Sequence, residues 1–146
     1  MKKFSFSLES LLTLRDWEEQ NARMALTEVN NQIEGIKQQI DNLEASVAGT
    51  YSSWDGESGR RFSPMDRVGL AAQVADLQRQ TEQARQAMQG AENRRAKAMQ
   101  SLQNASRNRK VVTNLKEKRL QAYNAELLKQ EANEIEDIFN GRRSAR

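Results

Sequence analysis

The 146-residue chain contains no cysteine and no histidine. Without cysteine there is neither disulfide nor thiol chemistry, and a reducing compartment suits it. Without histidine a metal would need carboxylates alone, and no loop has calcium-site spacing. Proline occurs once, and aromatics make up 5% of the residues. That is too little bulky apolar mass for a multilayer core. No apolar run approaches the roughly 20 residues of a membrane span. The start, Met1-Lys2-Lys3-Phe4, is followed by polar residues too soon for a signal-peptide apolar region. A cytoplasmic location is therefore expected. No phosphate loop is present, and carboxylates on a thin helical pair lack a water-excluding cleft. Neither an enzyme, a cofactor nor a small-molecule ligand is expected.

What remains is helix-forming. Gln, Ala, Glu, Arg and Asn dominate, and charged residues make up 29%. Alanine recurs every seventh residue at Ala84, Ala91, Ala98 and Ala105, with Leu77 and Val112 extending the column. The partner column reads Val74, Thr81, Met88, Arg95, Leu102, Arg109. A sustained seven-residue repeat indicates a coiled coil, and one small residue per heptad admits a second helix closely. The repeat also argues against disorder. Upstream, Leu26, Val29, Ile33, Ile36, Ile40, Leu43 and Val47 alternate by three and four.

These patterns predict an all-α fold: a long antiparallel two-helix coiled-coil hairpin with an overhanging C-terminal helix. One domain, 1–146, comprises helix one over about 8–48, a turn at 49–63, helix two over about 64–139 and a basic tail at 140–146. Ser7 is the candidate cap of helix one. Gly49, Gly56 and Gly59 mark the turn. Ser63, Pro64 and Asp66 form a helix-start signal, and Gly141 is the candidate terminator. In this register residues 8–12 meet helix two near 98–109. Arg95 then faces Asp16, Glu18 and Glu19, forming a partly solvated pair that fixes register. Helix two continues unpartnered for about 30 residues, roughly 45 Å. That overhang carries Leu115, Leu120, Tyr123, Leu127, Leu128, Ile135, Ile138 and Phe139.

Charge is sorted along the chain. Residues 107–119 carry six basic groups and one acidic, and residues 120–137 carry one basic and five acidic. The basic stretch, Arg107 to Lys110 with Lys116, Lys118 and Arg119, suits a solvated face or an acidic protein partner. No aromatic interleaves it and acids follow at once, which argues against nucleic acid. Tyr51, Trp54 and Phe62 are dense for a chain so poor in aromatics. They either fold inward to cap the hairpin or form a binding tip with Leu43 and Leu70 at its base.

The two ends carry a resemblance. The N-terminus reads Phe4-Ser-Phe6-Ser-Leu8-Glu9-Ser-Leu11-Leu12-Thr-Leu14-Arg15. The C-terminal part reads Arg109-Lys110-Val-Val-Thr-Asn-Leu115-Lys116-Glu117-Lys118-Arg119, then Tyr123, Glu126, Gln130, Glu131, Glu134, Glu136 and Asp137. In these stretches, and in its layout throughout, the chain resembles the flagellar export protein FliJ family and, more distantly, the YscO-type stalk proteins of type III secretion. The resemblance implies a cytoplasmic coiled-coil stalk, peripheral to the inner membrane at the flagellar base. It implies three partners: a hexameric export ATPase, the cytoplasmic part of an export gate membrane protein, and unloaded export chaperones. By the same analogy the stalk end enters the ATPase ring, through Arg109, Lys110, Leu115, Lys116, Arg119, Leu120, Tyr123 and Leu127. The tip residues Leu43, Tyr51, Trp54, Phe62 and Leu70 face the gate. The chain departs from the family in its turn, which is rich in Gly, Ser and aromatics. The competing class is a stand-alone coiled-coil adaptor or a nucleic-acid-binding coiled coil.

Overall fold

In a computed structural model, which describes residues 2–54 and 63–145, the chain is an all-α helical hairpin. Helix α1 spans Glu9–Trp54 and α2 spans Pro64–Ser144. Among the described residues no helix is long and apolar enough to cross a membrane.

The start of α2 follows from three residues. The Ser63 hydroxyl accepts from the Asp66 amide at 3.2 Å, and the Ser63 amide donates to the Asp66 carboxylate at 3.1 Å. This reciprocal pair satisfies two amides at the helix end, and Pro64 gives up none that was needed. The start of α1 differs from expectation. Glu9 is its first residue, and the Ser7 hydroxyl accepts from Arg119 at 2.7 Å.

The end of α1 is a correction. Residues 49–54, expected in the turn, are helical. The hydroxyls of Ser46, Thr50 and Ser53 each donate to the carbonyl four residues earlier, at 2.8–3.0 Å, so polar side chains close onto the helix. Thr50 and Trp54, both half-buried, carry the three-and-four spacing past Val47. Gly141 is likewise no terminator. It lies inside α2, and its carbonyl accepts from the Ala145 amide and the Ser144 hydroxyl. Arg142 and Arg143 in the last turn oppose the partial negative charge of that helix end.

The chain divides into two compact units. The first joins Met1–Asn21 to Leu102–Arg146, and the second is Ala22–Ser101. In the second, Glu44 pairs with Arg85 at 3.1 Å and Gln32 with Arg94 at 3.3 Å. Moving back along α1 moves forward along α2, so the helices are antiparallel. The buried residues lie on the expected columns: Ile33 on α1, and Val74, Thr81, Ala84 and Ala91 on α2. Ala91 has 0% exposure, the lowest value of the buried core. Burying Ile33 and Val74 stabilises the pair by about 1.5–3 kcal/mol each. Buried Thr81 satisfies its hydroxyl on the Leu77 carbonyl at 2.8 Å.

In the first unit the register is a further correction. Glu9 meets Lys116 at 2.9 Å, so the start of α1 lies beyond the 98–109 stretch expected for residues 8–12. Consequently Arg109, not Arg95, is the cation that meets Glu19 and Asp16. Arg95 is half-buried and makes no ion pair among the described residues.

Candidate functional site

Residues 2–6 are not helical, yet they are packed. Phe4, Phe6 and Leu8 alternate with Ser5 and Ser7. Phe6 is buried, Phe4 and Leu8 are half-buried, and both serines are exposed. The segment lies as a strap on α2. Phe4 and Tyr123 have ring centroids 5.5 Å apart, and the Tyr123 hydroxyl donates to the Lys2 carbonyl at 2.6 Å. The Arg119 guanidinium sits 5.5 Å from the Phe6 ring centroid. A cation over an aromatic face at that distance is attractive.

This strap changes the standing of the stalk-end residues. Arg109, Lys116, Arg119 and Tyr123 are engaged within the chain. Leu115, Tyr123 and Leu127 are half-buried. They are not part of an unpartnered overhang, which begins only at Leu128. Lys110 and Leu120 remain exposed. Arg107 and Lys118 join Lys110 as exposed cations with no ion pair among the described residues. With 3.6 residues per turn, the three share the side of α2 away from Arg109. Val111, also exposed, lies between them.

At the other end, Tyr51 and Trp54 stack edge to face with centroids 5.7 Å apart. Tyr51 is exposed and Trp54 half-buried, with its indole N–H enclosed and without a hydrogen-bond acceptor among the described residues. Leu43 and Leu70 are both half-buried, Leu43 on the α1 column. Phe62 lies outside the described residues.

Two features escaped the sequence reading. The strap was legible in the strict Phe-Ser-Phe-Ser-Leu alternation, which is a strand period rather than a helix period. Trp17 is 62% exposed, with Leu14 one turn away also exposed. Their position off the α1 column was the available signal. An exposed tryptophan beside a leucine is an anchor of the kind small interfaces use.

Among the described residues no three carboxylates gather as a metal site. An open groove of about 430 Å³ lies between Glu44 and Val47 on α1 and Gln78, Thr81, Glu82 and Arg85 on α2. Its Glu44–Arg85 pair is solvated, and its one buried hydroxyl is already bonded.

A protein-family model described as flagellar FliJ protein matches residues 4–146. Comparison with curated proteins and with solved structures gives no match.

Proposed function

The chain belongs to the flagellar FliJ protein family, and on that premise we propose that it is the coiled-coil stalk and escort of the flagellar export apparatus. Membership carries a role in flagellar export. The finer reading is that the protein couples a hexameric export ATPase to the membrane export gate and binds unloaded export chaperones, working as a partner and not as an enzyme.

The observation that carries this reading is the division of cations on α2. Arg109, Lys116 and Arg119 hold the chain together, whereas Arg107, Lys110 and Lys118 face solvent around exposed Val111. Solvated charges contribute about 0–1 kcal/mol each. Several such contacts, weak and interchangeable, suit a stalk that meets acidic side chains on successive ring subunits. Leu115, Leu120 and Leu127 are assigned to the ring as well. Tyr51 and Trp54, with Leu43, Phe62 and Leu70, are assigned to the gate. Trp17 with Leu14 is assigned to a chaperone. A position peripheral to the inner membrane at the flagellar base follows from these partners.

The test is binding of the purified chain to the export ATPase, read as stimulated ATP hydrolysis, with duplex DNA as a parallel sample. Stimulation without DNA binding supports the stalk. DNA binding without stimulation favours the free-standing nucleic-acid reading. Absence of both leaves an adaptor working elsewhere in export.

A further inference from the structure

Beyond Leu127, α2 runs on alone. Every residue from Leu128 to Ala145 is exposed. Leu128, Ile135, Ile138 and Phe139 are each at least 60% exposed, a large apolar area for so short a stretch.

This area is not a continuation of the face that α2 turns to α1. That face passes through Arg109, Val112, Lys116 and Tyr123. Its last packed residue is half-buried Leu127, four residues after Tyr123. The apolar row is turned roughly a quarter of a turn from that face, at Leu128, Glu131, Ile135, Ile138, Arg142 and Ala145. Its steps are three, four, three, four and three, the spacing of a coiled-coil seam.

The row reads as its own complement when reversed. Its outer members are apolar, Leu128 and Ala145. Its next members are opposite charges, Glu131 and Arg142. Its inner members are Ile135 and Ile138. A second copy laid antiparallel sets Leu128 on Ala145, Glu131 on Arg142 and Ile135 on Ile138, and the two-fold axis repeats each pair. The edges agree. Phe139 falls beside the small Ala132, and Glu134 falls beside Gly141, so no like charges meet. Glu126, Lys129, Glu136, Asp137 and Arg143 point outward. Parallel pairing would instead stack Glu131 on Glu131 and Arg142 on Arg142. A uniformly basic partner would meet Glu131 well and Arg142 badly.

We propose that residues 128–145 are a tail-to-tail interface with a second copy of this chain, antiparallel and centred between Ile135 and Ile138. Two heptads make a weak interface, so the dimer forms with rising concentration and comes apart on dilution.

The full-length chain is tested by sedimentation equilibrium. Wild type should show a monomer–dimer equilibrium, and Ile135→Asp with Ile138→Asp should remove the dimer. Glu131→Arg alone, or Arg142→Glu alone, should weaken association about tenfold, since symmetry counts each change twice. The two together should restore it, because the pairs are re-formed with reversed sign. The chain has no native cysteine, so orientation is read cleanly. Glu131→Cys with Arg142→Cys should give a covalent dimer on oxidation. Either cysteine alone should not, because the like positions lie about 16 Å apart in the antiparallel pair. All changed side chains are exposed, and unchanged helicity by circular dichroism checks that each variant is folded. A chain monomeric up to its solubility limit overturns the proposal. So does a dimer that survives the two aspartates, a swap that fails to restore pairing, or cross-linking by a single cysteine.

Discussion

Arg119 lies over the ring of Phe6, 5.5 Å from its centroid, while the same guanidinium donates to Ser7 at 2.7 Å. One side chain from the basic band of α2 thereby holds two consecutive residues of the N-terminal strap. The cation is occupied in keeping the chain's own N-terminal segment in place. That occupation separates residues of the basic band that look alike in sequence, and it frames the first two predictions.

Phe6→Ala should destabilise the protein by about 1.5–3 kcal/mol, the value of burying one large aromatic. Tyr123→Phe, which removes only the bond to the Lys2 carbonyl, should cost about 0.5–1.5 kcal/mol. Urea unfolding followed by circular dichroism measures both. Equal and negligible effects would show that the strap is not part of the cooperative fold.

Reversing Arg107, Lys110 and Lys118 together to Glu should leave the melting temperature close to wild type and abolish stimulation of the export ATPase. Reversing Arg109, Lys116 and Arg119 should lower the melting temperature, because their contacts with Glu19, Glu9 and Ser7 become like-charged or are lost. Association of wild type should weaken as salt rises, since exposed charges are screened beyond about 10 Å at 0.1 M. If both triple variants melt alike, the division of the band is wrong.

Glu19 is buried at 4% exposure and meets Arg109, with Asp16 4.0 Å from the same guanidinium. Arg109→Met should destabilise the protein by about 1–3 kcal/mol, since it removes a guanidinium that meets a buried carboxylate. Changing both residues, Glu19→Leu with Arg109→Met, should recover most of the loss or exceed wild type. A double-mutant cycle in thermal melts gives the coupling, and an additive result would deny the pair.

Ala91→Leu should cost about 1–3 kcal/mol, because the helices leave no room there. Ala87, exposed on the same helix, should accept leucine without loss. Matching melting temperatures for the two variants would reject the packing.

Tyr51→Ala and Trp54→Ala should reduce swimming motility and capture of the gate's cytoplasmic part with little loss of helicity. Trp17→Ala should instead reduce chaperone capture. Normal motility in the first two would mean that the aromatics only finish the hairpin.

The alanine column and the bulky column were readable because a coiled coil repeats a local rule. Val74, Thr81, Ala84, Ala91 and Val112 are buried where the seven-residue spacing puts them. Register was not readable in the same way. It depends on where α1 stops, and Ser46, Thr50 and Ser53 disguise a helix as a turn until their hydroxyls are seen to bond backward. The expected register set Arg95 against acids that Arg109 meets in the structure. The candidate surfaces suffered for a related reason. Whether Arg107 or Arg109 is free for a partner depends on what the strap and α1 already take, and composition cannot say that.

The change of face along α2 has a geometric consequence. The row that meets α1 and the row from Leu128 onward are separate tracks on one helix, and only the residue count between them sets their angle. Deleting or inserting one residue near Asn124 would turn one track against the other by about 100° while leaving each internally intact. The length of that short stretch therefore acts as an angular setting, fixing the direction in which the tail presents Ile135 and Phe139.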